Sequence, residues 1–309
     1  MVINGPGAAL KTRHSVDQMV AFRRADGRLR LLVVCADASV QVWDPVSGEP
    51  ATTLHQVRGA NDIAVCRRPG REPVLAVATD DGVEWFDAVS GDPCRWPTVD
   101  DTHCRLAVGR GGEVLYAAGF FPPAPVHRWD ATTGTMLPPL GRHDDHLVTV
   151  AALTRSGGTD MVVTAGWAEG IQRWDAVTGA TCGPPLLGHD AFVHELGGLL
   201  LPGGDLLLAS LDGDGELRRW DAETGEPVGA VIDGLGLSGL GRNLLMINAD
   251  GRPRILVTSD GIIRQWDAVT GVALADVAEG YGAVLLDLDG VPTIAAGCDD
   301  GIRLHPLPR

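Results

Sequence analysis

The stretch RRWDAETG, residues 218–225, decides the fold, because it combines a strand ending in Trp-Asp with a turn ending in Gly, and the chain repeats this phrase. The phrase recurs, once with phenylalanine in place of tryptophan, beginning at Trp43, Phe86, Trp129, Trp174 and Trp266. Successive aspartates of the phrase are 43, 43, 45, 46 and 46 residues apart. A period in the forties predicts an array of one supersecondary unit.

Each repeat is predicted to contain four short strands. In residues 193–229, the apolar runs 199–201 and 206–210 flank a Pro-Gly-Gly-Asp turn, and the run 216–220 ends in the tryptophan. A further Thr-Gly-Glu-Pro turn precedes a fourth short segment. Short apolar segments divided by Gly, Pro and Asp turns are typical of strands rather than helices. Four strands per repeat predict one blade of a β-propeller.

The number of repeats is predicted to be seven. The turn between the first two strands occurs seven times, and the last repeat stops at Leu304-His305 without a fourth strand. Residues 1–14 supply that strand, since residues 5–10 align without a gap with residues 49–54. Joining the chain ends in this way removes exposed sheet edges. We therefore expect an all-β fold, a single seven-bladed propeller of four-stranded antiparallel blades over residues 1–309, closed by strand 1–14. Its repeats end near Asp44, Asp87, Asp130, Asp175, Asp221, Asp267 and His305.

The composition excludes several classes of function. Twenty-five basic and 40 acidic side chains give a net charge of −15, and this field repels phosphate, so we expect neither nucleic acid nor a membrane as a partner. There is no apolar run of about 18 residues for a membrane span, and no secretory signal pattern. Six cysteines without paired spacing indicate a reducing compartment. We expect a cytoplasmic monomer, with a composition typical of a bacterial protein.

The repeat phrase, its spacing and the Gly-His that opens a repeat resemble the tryptophan–aspartate (WD) repeat family over essentially the whole chain. The resemblance implies a buried hydrogen-bonded set that ties three strands together. In the fifth repeat that set would be His189, Ser210, Asp214 and Trp220. The fourth repeat departs from the pattern, with His143 present but Ala168 at the aspartate position. Family members mostly hold proteins or peptides on the top face of the ring, and the resemblance implies this role here.

Several other motifs are candidate sites for metals or cofactors. Histidines and carboxylates on neighbouring loops suit a divalent metal; the histidines are His103, His143, His146, His189 and His194. The alternative is that two of them are structural and the others are solvated. A GxGxxG match at residues 234–239 precedes a predicted strand rather than a helix, which argues against a dinucleotide site. The DGDGE stretch at residues 212–216 lacks the length and flanking helices of an EF-hand calcium loop. We expect no metal and no cofactor.

An aromatic loop is the strongest functional signal in the sequence. The segment GFFPPAP, residues 119–125, is the longest loop between second and third strands, and its prolines stiffen Phe120 and Phe121. Trp167 lies in the equivalent loop of the next repeat, and Phe192 precedes the first strand of the fifth repeat. Aromatic residues are enriched at binding hot spots, and stiff loops lose little entropy on binding. The alternative is a local cluster that caps these repeats.

We therefore predict a non-catalytic scaffold that binds a protein or peptide on the top face around repeats three to five. Acidic residues at its rim indicate a partner with basic character. The predicted binding residues are Phe120, Phe121, Asp145, His146, Trp167, Phe192, His194 and Asp212.

Two other functions stay open. An enzyme could use His103, His146, His194 and Glu195 for acid–base or metal chemistry at the mouth of the central channel. Histidines that converge within hydrogen-bond distance in one pocket would favour this enzyme, whereas histidines dispersed around an aromatic patch would favour the scaffold. A structural subunit of a larger assembly would instead show a flat apolar patch on the side of a blade.

Overall fold

The computed structural model describes residues 9–12, 14–53, 57, 59–99, 103–167, 170–236 and 244–307. These residues form 25 strands, one short 3-10 segment (Arg110–Gly112) and no α-helix. The strands lie in seven small antiparallel sheets, so the fold is all-β as predicted, and the arrangement fits the blades of a β-propeller. Within the described part of the chain, no helix has the length and apolar character needed to cross a membrane.

The sheets follow the repeats in chain order. Strand β1 is Ala9–Leu10. Sheet 1 contains β2 (Val16–Arg23), β3 (Leu29–Cys35), β4 (Val40–Asp44) and β5 (Glu49–Thr53). Sheet 2 contains β6 (Asp62–Arg68), β7 (Arg71–Thr79) and β8 (Gly82–Asp87). Sheet 3 contains β9 (His103–Val108), β10 (Val114–Gly119), β11 (Ala124–Asp130) and β12 (Thr135–His143).

The remaining four sheets continue the series. Sheet 4 contains β13 (Leu147–Thr154), β14 (Asp160–Gly166) and β15 (Ile171–Asp175). Sheet 5 contains β16 (Val193–Leu200), β17 (Leu206–Asp212) and β18 (Leu217–Asp221). Sheet 6 contains β19 (Leu244–Ala249), β20 (Arg252–Ser259), β21 (Ile262–Asp267) and β22 (Ala278–Glu279). Sheet 7 contains β23 (Gly282–Leu288), β24 (Val291–Cys298), β25 (Gly301–Pro306) and β1.

The chain divides into two compact units. Unit 1 comprises Met1–Arg58, Asp87–Asp92 and Gly236–Arg309, and it contains sheets 1, 6 and 7. Unit 2 comprises Gly59–Phe86 and Pro93–Leu235, and it contains sheets 2 to 5. All the predicted binding residues belong to unit 2.

The first described strand pairs with the last. Ala9 lies opposite Arg303 and Leu10 opposite Ile302, in antiparallel register. The side chain of Leu10 is buried in the same apolar cluster as Ile302. Sheet 7 therefore contains strands from both ends of the sequence, as the alignment of the repeats predicts. Residues 1–8 and 13 of the predicted strand 1–14 lie outside the described residues.

The repeat phrase is explained by a turn that its aspartate organises. In sheet 4, Asp175 Oδ1 accepts hydrogen bonds from the backbone N–H of Val177 (3.1 Å) and of Thr178 (2.8 Å). Gly179 then adopts a φ of 73°, a conformation that glycine takes without steric strain. The aromatic residue before the aspartate is buried in each phrase: Trp43, Phe86, Trp129, Trp174, Trp220 and Trp266.

The predicted fourth strand is absent as a regular strand from the described parts of sheets 2, 4 and 5. The outer segments of sheets 4 and 5 pair through isolated bridges, such as Trp174 with Thr181 and Ile171 with Leu186. Buried arginines of sheets 4 and 5 contact these outer segments. Arg173 donates to the carbonyl of Pro184, and Arg219 donates to the carbonyl of Ala230, each at 3.4 Å. Proline in this segment also removes a ladder donor.

Candidate functional site

A closed polar set holds the loops of sheet 5 in place. His189 Nδ1 lies 2.9 Å from Asp212 Oδ2, and His189 Nε2 lies 2.7 Å from the hydroxyl of Ser210. The indole Nε1–H of Trp220 donates to the same hydroxyl at 2.8 Å. Asp212 Oδ1 accepts the backbone N–H of Glu216 at 2.9 Å. The set is buried and internally satisfied, so it acts as a cross-strand tie.

The sequence pattern assigned the carboxylate of this set to Asp214, and the structure places Asp212 there. Four residues separate β17 from β18, whereas two separate β20 from β21, so counting back from Trp220 selects the wrong aspartate. The side chain of Asp214 is exposed instead. Asp212 was also predicted to lie on the binding rim, but it is 1% exposed and belongs to the buried set.

The same residues resemble a metal site without needing a metal. Ligand atoms of His189, Asp212 and Glu216 lie within 4.8 Å of one another. Both ring nitrogens of His189 are already engaged, by Asp212 and by Ser210. Glu216 also pairs with Arg218. A metal would have to displace these interactions, so the geometry favours a structural role for the set.

Sheet 4 carries a shorter version of the set. His143 Nε2 lies 2.7 Å from the hydroxyl of Thr164, which also accepts the indole N–H of Trp174 at 2.8 Å. Gly166 pairs with Leu147 at the point where Asp212 pairs with the first residue of β16, so Gly166 occupies the carboxylate position. The sequence pattern assigned that position to Ala168, which lies outside the described residues.

Four predicted binding residues form one aromatic cluster, defined as Phe120, Phe121, His146 and Trp167. The imidazole of His146 stacks on the indole of Trp167, with ring centroids 4.5 Å apart and planes 22° apart. Phe120 meets His146 at 5.0 Å, Phe121 at 5.1 Å and Trp167 at 6.3 Å, each at a steep angle. Three loops supply these rings: β10–β11, β12–β13 and β14–β15. The sequence therefore selected residues that the fold brings together.

The aromatic cluster is open to solvent on one side. The side chains of Phe121 and Trp167 are 56% and 54% exposed, respectively. Phe120 and His146 are half-buried beneath them. The supporting backbone is held on both sides, because Ala124 pairs with His143 in β12 and the N–H of Trp167 donates to the carbonyl of His146. Large exposed aromatics on a supported backbone are a typical binding surface.

Asp145 fixes the imidazole of the aromatic cluster. Its Oδ1 accepts the backbone N–H of His146 at 2.6 Å and lies 3.0 Å from Nδ1 of the same residue. These hydrogen bonds from His146 lower the pKa of the Asp145 carboxyl below its usual value. A charged carboxylate therefore lies beside the exposed rings at neutral pH.

Phe192 and His194 form a second, smaller contact on sheet 5, with ring centroids 6.2 Å apart. Phe192 is exposed, and a β-bulge between Val193 and Glu195 turns the His194 side chain. Burial lowers the pKa of the His194 imidazole below its usual value. Among the described residues, this pair makes no ring contact with the aromatic cluster, so the predicted binding residues fall into two groups.

The residues of the enzyme hypothesis are engaged in different contacts. His146 stacks on Trp167, whereas His194 contacts Phe192. Arg105 Nη2 donates to Glu195 Oε1 at 3.1 Å, and the Glu195 side chain is 3% exposed. The side chain of His103 lies outside the described residues.

No protein-family model matches the sequence, and no curated protein matches it significantly.

Proposed function

We propose that this chain is a non-catalytic scaffold that docks a protein or peptide on the aromatic cluster. The observation that carries the proposal is the convergence of four rings from three loops, with Phe121 and Trp167 more than half exposed. Aromatic side chains of this kind give a large apolar contact area with few rotatable bonds. The neighbouring Phe192 and His194 would extend the docking surface onto sheet 5.

The proposal includes a seven-bladed propeller of the WD-repeat type, with each sheet as one blade and the outer segments as fourth strands. The periodic phrase, the seven sheets and the pairing of β1 with β25 support this arrangement. In that ring the aromatic cluster would lie on the top face, where such propellers hold their partners. A cytoplasmic location accords with cysteines that lack paired spacing.

The charge of unit 2 supports a basic partner. Its sequence carries 12 arginines against 24 aspartates and glutamates, a net charge of −12, while the whole chain carries −15. Charge complementarity speeds association and excludes acidic partners. We therefore infer a partner with a positively charged docking segment.

Affinity capture from the native host tests the docking function. We would compare the wild-type chain with a Phe121→Ser/Trp167→Ser variant, which alters only the two exposed rings of the aromatic cluster. The matched control is Val177→Ser, which alters a side chain that is 73% exposed on a repeat turn. We expect the control to recover the same proteins as the wild type and the double variant to lose at least one. Equal recovery by all three, with equal thermal stability, would overturn the proposal.

A further inference from the structure

The indole of Trp167 is held as a flat platform with one open face. His146 stacks against the other face at 4.5 Å, and Phe120 meets the indole at a steep angle, with planes 82° apart. Because one face is covered and the residue is still 54% exposed, the exposed area belongs mainly to the opposite face and the outer edge. A group that stacks on the open face therefore meets a ring whose position is already fixed.

The indole N–H of Trp167 is a donor that has no acceptor within the part of the chain that the structure describes. The indoles of the repeat phrase differ, since four of them donate to acceptors of the protein itself: Trp43, Trp129, Trp174 and Trp220. Trp167 is exposed, so its N–H is available to an acceptor of a bound partner. The platform thus combines an apolar face with one hydrogen-bond donor in the plane of the ring.

The backbone next to the platform is already paired, which leaves recognition to the side chains. The backbone N–H of Trp167 donates to the carbonyl of His146, and Leu147 pairs with Gly166 in the adjoining strands. A partner that adds a strand would need unpaired backbone groups at this point. The aromatic cluster therefore suits a segment that presents apolar rings and a carbonyl acceptor.

We propose that the docking surface recognises a proline-rich segment of its partner in the polyproline II conformation, with one proline ring stacked on the open face of Trp167 and a neighbouring carbonyl accepting the indole N–H. This inference rests on the proposed docking function. A polyproline II helix has no internal hydrogen bonds, so its carbonyl groups are free to accept. The carbonyls of an α-helix or of a paired strand are already engaged within their own structure. A proline side chain is rigid, so it loses little entropy when it stacks on the indole.

The two contacts are compatible in geometry. The stacked ring lies over the open face, and the indole N–H points outward in the plane of the ring. A polyproline II chain advances about 3.1 Å per residue, so a carbonyl next to the stacked proline passes the edge of the indole. Neither contact uses the face of Trp167 that His146 covers.

Phe121 offers a second contact for the same segment. Its side chain is 56% exposed, and the rings of Phe121 and Trp167 both contact His146, with centroids 6.2 and 4.5 Å from the imidazole. Residues three apart lie on one side of a polyproline II helix, roughly 9 Å from each other, so two prolines of one segment can contact both rings. The net charge of −12 on the sequence of unit 2 favours basic residues that flank the prolines.

Peptide titrations test this inference. The probes are acetyl-Arg-Pro-Pro-Pro-Pro-Pro-Pro-Arg-amide, its analogue with alanine at every proline, and an analogue with alternating leucine and alanine, and all three carry the same charge. Binding is followed by the backbone amide resonances and by the indole N–H resonance of Trp167, which a Trp167→Phe spectrum identifies. We expect the proline peptide to bind about tenfold more tightly than the alanine peptide and about threefold more tightly than the leucine–alanine peptide. The indole N–H resonance should move downfield on binding of the proline peptide, because the donor gains an acceptor.

Two variants of Trp167 separate the contributions. Trp167→Ser removes both the face and the donor, and we expect it to weaken binding of the proline peptide about tenfold. Trp167→Phe keeps an aromatic face without the N–H, and its affinity should fall between those of Trp167→Ser and the wild type. The matched control, Tyr281→Ser, removes an aromatic ring that is 39% exposed in unit 1, and it should leave binding unchanged. Thermal unfolding of each variant verifies that it is folded.

Two results would overturn the inference. The first is that the proline peptide binds no more tightly than the alanine peptide or the leucine–alanine peptide. The second is that Trp167→Ser binds the proline peptide as tightly as the wild type does. If affinity capture still depends on the exposed rings in either case, the docking function survives and only the proline anchor fails.

Discussion

Sheets 4 and 5 share one hydrogen-bonded arrangement of histidine, hydroxyl and tryptophan, but the residues next to it differ. In each sheet a histidine that precedes the first strand hydrogen-bonds to a hydroxyl that accepts the tryptophan N–H: His143 with Thr164, and His189 with Ser210. The two sheets differ at the position that the carboxylate occupies in sheet 5. Sheet 5 has Asp212 there, and sheet 4 has a glycine.

The residues around that position show what the difference allows. In both sheets the third residue after the histidine accepts a hydrogen bond from the residue after the carboxylate position: His146 from Trp167, and Phe192 from Gly213. A Cβ at Gly166 would collide with the carbonyl oxygen of His146, so the close approach requires glycine. The residue after Gly166 is Trp167, and its indole stacks on the imidazole of His146. In sheet 5 the arrangement includes a buried carboxylate, whereas in sheet 4 it supports exposed aromatic rings.

The largest effect is expected from the carboxylate of sheet 5. Asp212→Ala leaves His189 Nδ1 and the backbone N–H groups of Asp214 and Glu216 without their acceptor. We expect a loss of about 3 kcal/mol in the free energy of unfolding, measured by urea denaturation. The matched control, Asp214→Ala, removes an exposed carboxylate and should change the value by less than about 0.5 kcal/mol. A larger loss in Asp214→Ala than in Asp212→Ala would instead support Asp214 as the carboxylate of the set.

The hydroxyl of each set comes next. Thr164→Val and Ser210→Ala each remove a hydroxyl that accepts the tryptophan N–H and hydrogen-bonds to a histidine ring nitrogen. We expect each change to destabilise the protein by about 2 kcal/mol, because the tryptophan N–H and the histidine nitrogen both lose a buried hydrogen-bond partner. Thermal and urea unfolding of both variants would measure this. Effects that differ by more than about 1.5 kcal/mol would show that the two sets are not equivalent.

Glycine-to-alanine changes test why sheet 4 lacks the carboxylate. At Gly166 the added methyl meets a backbone oxygen, and we expect a loss of about 2 kcal/mol and a shifted Trp167 indole resonance. At Gly213 the methyl meets the ring of Phe192 at 3.0 Å, and this exposed ring can move aside. Gly213→Ala should therefore destabilise the protein by less than about 1 kcal/mol. Equal effects at both positions would remove the steric explanation.

Much of this comparison was accessible to the sequence. The 43–46-residue period predicted the sheets, and the aromatics of equivalent loops predicted the cluster of Phe120, Phe121, His146 and Trp167. Two features were not accessible. The correct carboxylate, Asp212, depends on a turn two residues longer than that of sheet 6, and strand pairing rather than spacing reveals it. The irregular outer segments of sheets 4 and 5 depend on backbone pairing through isolated bridges, which only the fold defines.

The smallest effect is expected at the β-bulge, where the two sheets have different residues. Sheet 5 has His194 at its β-bulge, and sheet 4 has Val148 at the equivalent bulge. Burial lowers the pKa of the folded His194, so the unfolded chain binds more protons between that folded pKa and the ordinary histidine value of about 6.5. Stability therefore rises with pH through this window and is lost as pH falls through it.

His194→Val should reduce the difference in unfolding free energy between pH 5 and pH 7.5. The control His14→Gln replaces an exposed histidine and should leave the difference closer to the wild-type value. An unchanged pH dependence in His194→Val would show that other groups titrate on unfolding. His194 would then contribute no more to the pH dependence than Val148 does at the equivalent bulge of sheet 4.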